Sequence, residues 1–153
     1  SVVTTPRVKT VKVGRQDVIS AIETDLGVSG GENGVTVLPL DSHYWVPEEQ
    51  TFHEQLSLYR DEIGRNIYQG DAYDCDNYAL DLMNFFQNQL GINSVGFVFD
   101  GDSQHAYNVV VHSTTDGLRA TLVEPNFFSL DGGEVEPTDS DGKYSVGTST
   151  ILL

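Results

Sequence analysis

Apolar residues in the first forty positions recur first with the period of a strand and then with that of a helix. Residues 8–13 alternate apolar and charged side chains, which predicts an exposed strand. Residues 16–26 repeat apolar side chains at helical spacing, and the following Gly27 predicts where that helix ends. After a glycine-rich turn at 29–34, the apolar run 35–40 predicts a second strand.

Two further helices are predicted in the middle of the chain. Pro47, followed by two glutamates, is typical of a first helical turn. The helix that it opens has an apolar stripe formed by Phe52, Leu56, Tyr59 and Ile63. The strongest helical pattern covers residues 75–90 and ends at Gly91. Its apolar face is formed by Tyr78, Ala79, Leu82, Met83, Phe86 and Leu90.

The second half of the chain changes to the pattern of strands. Three strands are predicted in close succession, at 95–99, 106–112 and 118–123, and a late one at 148–153. Two consecutive hairpins after a long helix predict an α+β fold, with the helices packed on an antiparallel sheet. The length of 153 residues fits one domain over 1–153, in which 1–15 and 131–153 are expected to be peripheral strands and loops.

Charge and composition exclude several classes of partner. The 23 acidic and 8 basic residues give a net charge of -15, which argues against nucleic acid and against an anionic membrane surface. The same acidity is compatible with binding of hard cations. No apolar run approaches the roughly 20 residues of a membrane span, and the first residues lack the apolar core of a signal peptide. These features do not distinguish a cytoplasmic from a viral or secreted protein.

The single cysteine lies at an informative position. Cys75 falls in the first turn of the strongest helix, where the helix dipole favours the nucleophilic thiolate. His105 begins one predicted strand and Glu124 ends the next, so an antiparallel sheet would place them side by side. Each residue alone is typical of ordinary packing, but their order indicates a nucleophile, a base and an orienting acceptor. Asn126 is the alternative third member.

A glutamine extends the pattern. Gln69 precedes Cys75 by six residues and can donate to an oxyanion together with the Cys75 backbone N–H. In this order the chain resembles the papain-like cysteine peptidases, although it lacks their second cysteine before Cys75 and their tryptophan after it. A narrower resemblance rests on three strings, which are YDCDNYA at 73–79, HAYN at 105–108 and VEPN at 123–126. They are similar to the C-terminal papain-like domain of Marasmius oreades agglutinin and to stand-alone lectin-related proteins of bacteria and phages.

That resemblance covers about residues 40–130 and implies a role for each matched position. Cys75 is the nucleophile, His105 the base, Glu124 the orienting carboxylate and Gln69 the oxyanion donor. It implies a calcium-dependent cysteine peptidase that acts on a peptide or protein and forms a homodimer. The sugar-binding β-trefoil of the fungal protein has no counterpart in this sequence, so the resemblance does not imply sugar binding. Glu124 is preferred to Asn126 because the narrower family uses a glutamate.

Calcium is expected mainly from the resemblance, with four aspartates as its candidate ligands. These are Asp74, Asp76, Asp100 and Asp102. Carboxylate oxygens suit calcium, and a bound cation would offset the effect of acidic neighbours on a Cys75 thiolate. The segment 100–103 is also typical of an ordinary hairpin turn, and no EF-hand spacing is present.

Two other functions remain open from the sequence. A transglutaminase-like or peptidoglycan-cleaving enzyme, as in a phage or bacterial setting, would use the same triad with a different substrate or acceptor, because the triad determines reaction class only. A non-catalytic acidic module that binds calcium or a partner on the same scaffold is the second. Thiol reactivity of Cys75 separates the enzymes from the module.

Overall fold

The computed structural model of the protein describes residues 8–26, 35–63, 68–137 and 143–153. In chain order the elements are β1 Thr10–Gly14, α1 Arg15–Leu26, β2 Thr36–Leu38, β3 His43–Pro47, α2 Glu49–Leu58, α3 Cys75–Asn84, β4 Val95–Asp100, β5 His105–Thr114, β6 Gly117–Glu124, β7 Gly133–Val135 and β8 Ser149–Leu152. Helices α2 and α3 each continue into one π-helical turn, at Tyr59–Ile63 and Phe85–Gln89 respectively.

The fold is built around a six-stranded sheet with the strand order β2-β8-β4-β5-β6-β7. All neighbouring strands are antiparallel except β2 and β8, which pair in parallel. Strands β1 and β3 form a separate antiparallel pair. The α+β class is therefore confirmed, with a sheet that is mostly antiparallel.

Helices cover both faces of this sheet. One apolar cluster joins α1 to side chains that include Tyr107, Val109 and Val111 of β5. A second cluster joins α2 and α3 to Val110 of β5 and Val123 of β6. Because side chains alternate between the faces of a strand, β5 contributes to both clusters. This explains why its sequence reads as a nearly continuous buried run rather than an alternating one.

The predicted helix at Pro47 begins later than expected. Pro47 is the last residue of β3 and lies opposite Thr10 of β1, whereas α2 starts at Glu49. The proline is tolerated there because β3 pairs with a single strand, β1. The apolar stripe is otherwise confirmed at Phe52, Leu56 and Tyr59, which are all buried.

The tail is more central than the sequence indicated. Strand β8 lies inside the sheet, between β2 and β4, and Tyr144 and Val146 belong to the core. The expectation that 131–153 is peripheral is therefore corrected for residues 143–153, because β8 lies between two earlier strands, whereas β7 stands last in the strand order of the described sheet. The predicted turn at 29–34 lies outside the described residues. Among the described helices, none is long and apolar enough to cross a bilayer.

Candidate active site

A pocket of about 280 Å³ opens where the start of α3, the start of β5 and the end of β6 meet. It brings together Cys75, His105 and Glu124, which the sequence predicted as nucleophile, base and orienting carboxylate. The residues that line it are Tyr68, Cys75, Tyr78, Gln104, His105, Glu124, Asn126 and Lys143.

The histidine and the glutamate are in direct contact. His105 Nε2 lies 2.7 Å from Glu124 Oε1, and the side chains are 14% and 1% exposed. Strand register explains the contact. Asn108 lies opposite Val123, so His105 and Glu124 are diagonal neighbours at adjacent strand ends. The carboxylate accepts a hydrogen bond from the Nε2–H group, which leaves Nδ1 as the basic nitrogen of the neutral ring.

Glu124 is held ionised although it is buried. Burial raises its pKa, but the His105 ring, the Asn126 N–H and the Tyr144 hydroxyl together bring the pKa below its ordinary value. The Asn126 N–H donates to Oε2 at 3.0 Å and the Tyr144 hydroxyl to Oε1 at 2.9 Å. Burial and the glutamate raise the pKa of Tyr144, so it stays a donor. A fixed anion of this kind stabilises an imidazolium when the ring gains a proton.

Cys75 is the first residue of α3 and is partly exposed in the pocket. The backbone N–H of Asp74 donates to Asn77 Oδ1 at 3.1 Å, which caps the helix start. The buried Asn108 amide donates to Ala79 O at 2.9 Å and to Gly96 O at 3.0 Å. That side chain ties α3 to the sheet and so fixes the cysteine relative to the histidine on β5.

Asp100 has a structural role beside the pocket. It is fully buried and accepts from the Tyr107 and Ser145 hydroxyls and from the Val146 N–H at 2.9 to 3.0 Å. The N–H groups of residues 102 and 103 also donate to it. Burial raises its pKa, but these donors outweigh burial and lower the pKa overall. The carboxylate therefore fixes the turn that leads into His105.

The four predicted calcium ligands are not gathered in one place. Asp100 is occupied by the donors just described, whereas contact with the carboxyl of Asp76 raises the pKa of Asp74. In the described ranges, no three His, Cys, Asp or Glu side chains form a group suited to hold a metal ion. The set of Asp74, Asp76, Asp100 and Asp102 thus does not fit a single calcium site, and calcium binding stays a prediction.

The other two predicted residues take different places. Gln69 lies in a tight turn, where its backbone exchanges hydrogen bonds with Tyr73, and it is not among the lining residues. Its role as oxyanion donor stays a prediction. Asn126 does line the pocket, but its Oδ1 accepts from the Phe128 N–H at 3.1 Å. Of the two candidates for the third position, Glu124 contacts His105, whereas the Asn126 side chain accepts a backbone hydrogen bond.

Sequence reasoning missed two residues that line the pocket, Gln104 and Lys143, and one that supports it from behind Glu124, Tyr144. Tyr144 and Lys143 arrive from the tail, and no local period marks them. Lys143 Nζ lies 3.6 Å from Glu124 Oε1. Gln104 has a φ of 51°, a left-handed conformation that glycine normally adopts, directly before His105. A four-residue turn between paired strand ends is the signal that could have indicated such a position.

Comparisons with known proteins give structural neighbours only. No family model and no curated protein sequence matches the chain. Two solved structures of similar fold are a PSL1a complex with E-64 and Polyporus squamosus lectin bound to a human-type influenza-binding epitope. Their TM-scores are 0.59 and 0.58, each at 15% identity over 93% of this chain. The chain spans about half of each, 51% and 49%. The chain therefore shares its fold with about half of each of these two structures.

Proposed function

We propose that the protein is a cysteine hydrolase of the papain-like type that cleaves peptide bonds. The observation that carries the proposal is the 2.7 Å contact between His105 and a buried, ionised Glu124 in the pocket that also exposes Cys75. A nucleophile, a base and an orienting carboxylate are the parts that acyl transfer requires. Their order along the chain is the order expected from the resemblance to the papain-like domain.

The chemistry follows from the ring nitrogens. His105 Nδ1 takes the thiol proton, and the Cys75 sulfur attacks the peptide carbonyl carbon. The tetrahedral intermediate collapses, the C–N bond breaks, and the imidazolium gives its proton to the leaving amine. Water, deprotonated by the same nitrogen, then hydrolyses the thioester and regenerates the thiol. Throughout, Glu124 keeps the other nitrogen protonated and stabilises the charged ring.

The structural neighbours support this proposal at the level of fold. One of them is a complex with E-64, an epoxide that alkylates thiolates. A structure that shares this fold over about half of its length and forms such a complex is compatible with a reactive cysteine here. At 15% identity the likeness does not extend to individual residues, so the site geometry of this chain carries the assignment.

The test is an unbiased cleavage assay. A peptide library from a digested proteome is incubated with the wild type, with Cys75→Ala and with His105→Ala, and new termini are counted by mass spectrometry. The proposal predicts new termini with the wild type and none with either variant. Folded wild-type protein that yields no more termini than Cys75→Ala contradicts it.

Two further arms resolve the open alternatives. Parallel incubations with calcium and with a chelator test the expected calcium dependence, since a chelator-insensitive rate removes calcium from the proposal. A labelled primary amine in the assay detects transglutaminase-like transfer, and purified peptidoglycan detects cell-wall cleavage. These arms change the acceptor or the substrate but keep Cys75 as the nucleophile.

Glycan binding is a second candidate function, favoured by the likeness to a lectin whose structure holds the trisaccharide Neu5Aca2-6Galb1-4GlcNAc. Calorimetric titration of Cys75→Ala with that trisaccharide tests it without interference from turnover. Heat of binding together with an inert thiol in the wild type favours the binding module over the hydrolase.

A further inference from the structure

Lys143 places a positive charge at the candidate active site of a strongly acidic chain. The whole sequence has only 8 basic residues against 23 acidic ones. The Lys143 side chain is 45% exposed, and its Nζ lies 5.8 Å from the centre of the Tyr144 ring. Among the described residues that line the pocket, it is the only Lys or Arg. The pocket therefore offers an anion a cation that most of this surface lacks.

Lys143 forms an ion pair with Glu124 but donates no hydrogen bond to it. Its Oε1 accepts from His105 at 2.7 Å and from Tyr144 at 2.9 Å, while Oε2 accepts from the Asn126 N–H at 3.0 Å. The Lys143 ammonium stands 3.6 Å away, beyond hydrogen-bond length. An ammonium has three protons to donate, so Lys143 can meet a ligand while the glutamate remains satisfied.

We propose that Lys143 binds a carboxylate of the substrate, so that the pocket selects peptides with an acidic group next to the scissile carbonyl. This inference rests on the proposed function, because it needs Cys75 to react in the same pocket. The net charge of -15 repels an anionic peptide at long range. A local cation at the pocket reverses that effect where salt screens the distant charges.

Two matched reagents test the proposal without a known substrate. Iodoacetate and iodoacetamide alkylate the same sulfur but differ in charge, so the ratio of their rates reports attraction of a carboxylate. The ratio for Cys75 is measured by intact mass at about 0.3 M salt, where the Debye length is short, in the wild type and in Lys143→Gln, Lys143→Arg and Lys143→Glu. Lys12→Gln, on β1 and outside the pocket, removes the same formal charge as a control.

The expected ratio of iodoacetate to iodoacetamide falls about three- to tenfold in Lys143→Gln, because one unit charge near the sulfur is lost. It falls further in Lys143→Glu and stays close to the wild-type value in Lys143→Arg and in Lys12→Gln. Propionate, an unreactive carboxylate, should slow labelling by the neutral reagent in the wild type and not in Lys143→Gln.

Two results overturn the inference in distinguishable ways. Fast labelling by iodoacetamide with the same ratio in wild type and Lys143→Gln, or no protection by propionate, removes the carboxylate site and leaves the nucleophile standing. Slow labelling by both reagents in every folded variant removes the reactive cysteine, and with it both the proposed function and the selectivity.

Discussion

Two buried carboxylates lie near the same end of the sheet, and they differ in what donates to them. Asp100 and Glu124 are 0% and 1% exposed, and surrounding donors hold the pKa of each below its ordinary value. The donors to Asp100 are hydroxyls and backbone N–H groups, none of which changes charge near neutral pH. The donors to Glu124 include the ring of His105, which reaches the pocket.

The difference separates a structural carboxylate, Asp100, from the one that we propose to take part in the chemistry, Glu124. Asp100 holds two segments together, the turn before His105 and the tail at residues 145–146. Glu124 instead contacts the ring of His105, a side chain that can gain and lose a proton. Burial and a lowered pKa alone therefore do not distinguish the two carboxylates, whereas a titratable donor that lines a pocket together with a cysteine does.

The largest effect on stability is expected from a substitution of the structural carboxylate, Asp100. Asp100→Asn removes the charge that its donors share and presents an amide NH₂ group to some of them. We expect the free energy of unfolding to fall by about 3 kcal/mol. Urea denaturation at neutral pH measures it, with the exposed neighbour Asp102→Asn as control. A loss below about 0.5 kcal/mol, the range of ordinary surface changes, contradicts the structural role.

A substitution of Glu124 should lower the free energy of unfolding less than one of Asp100. Glu124→Gln keeps an accepting oxygen at only one of the two carboxylate positions and loses the ionic share of the His105 contact, but it disturbs three donors where Asp100→Asn disturbs five. We expect a loss of about 1.5 kcal/mol in the same denaturation experiment. Glu134→Gln, an exposed glutamate paired with His53, is the matched control. A greater loss than that of Asp100→Asn would reverse the comparison.

Acid sharpens the comparison because both pKa values are depressed in the folded state. Each group stabilises the fold above its unfolded pKa, ordinarily 3.8 for Asp100 and 4.5 for Glu124, and loses that contribution as pH falls through the folded pKa. Between pH 5 and pH 3, the free energy of unfolding should fall by about 1 kcal/mol less in Asp100→Asn or Glu124→Gln than in the wild type. Parallel curves for all three proteins would be inconsistent with depressed pKa values.

The smallest effect concerns the turn between Asp100 and His105. Gln104 adopts a positive φ, which a glycine tolerates and a side chain resists. We expect Gln104→Gly to raise the free energy of unfolding by about 0.5 kcal/mol. Gln104→Ala removes the same side-chain polar group but keeps the backbone strain, so thermal denaturation should show no gain for it. An equal gain in stability in both variants would contradict backbone strain at position 104 as the cause.

Sequence patterns indicate most of the elements and three of the pocket residues for a clear reason. Consecutive hairpins make neighbours in sequence into neighbours in the sheet, so the sequence alone is enough to pair His105 with Glu124. The helix start at Cys75 follows from the strongest apolar period in the chain.

The remaining residues depend on contacts between distant segments. Tyr144 and Lys143 reach Glu124 from the tail, and no local period encodes that approach. The sequence indicates a calcium ligand at Asp100 because a turn and a metal loop use the same residue types, whereas its partner Val146 lies 46 positions further on. The sequence does not indicate strand β3, because Pro47 is equally typical of a helix start.

The central claim is that Glu124 and His105 activate Cys75, and formation of an E-64 adduct tests it most directly. The adduct is followed by intact mass at mildly acidic pH, at a temperature where every variant is folded. The account predicts one adduct on the wild type, nearly the same rate for Asp100→Asn, a rate about 10²-fold lower for Glu124→Gln and no adduct on Cys75→Ala. Equal rates for the wild type and Glu124→Gln, or no adduct on the wild type, would contradict it.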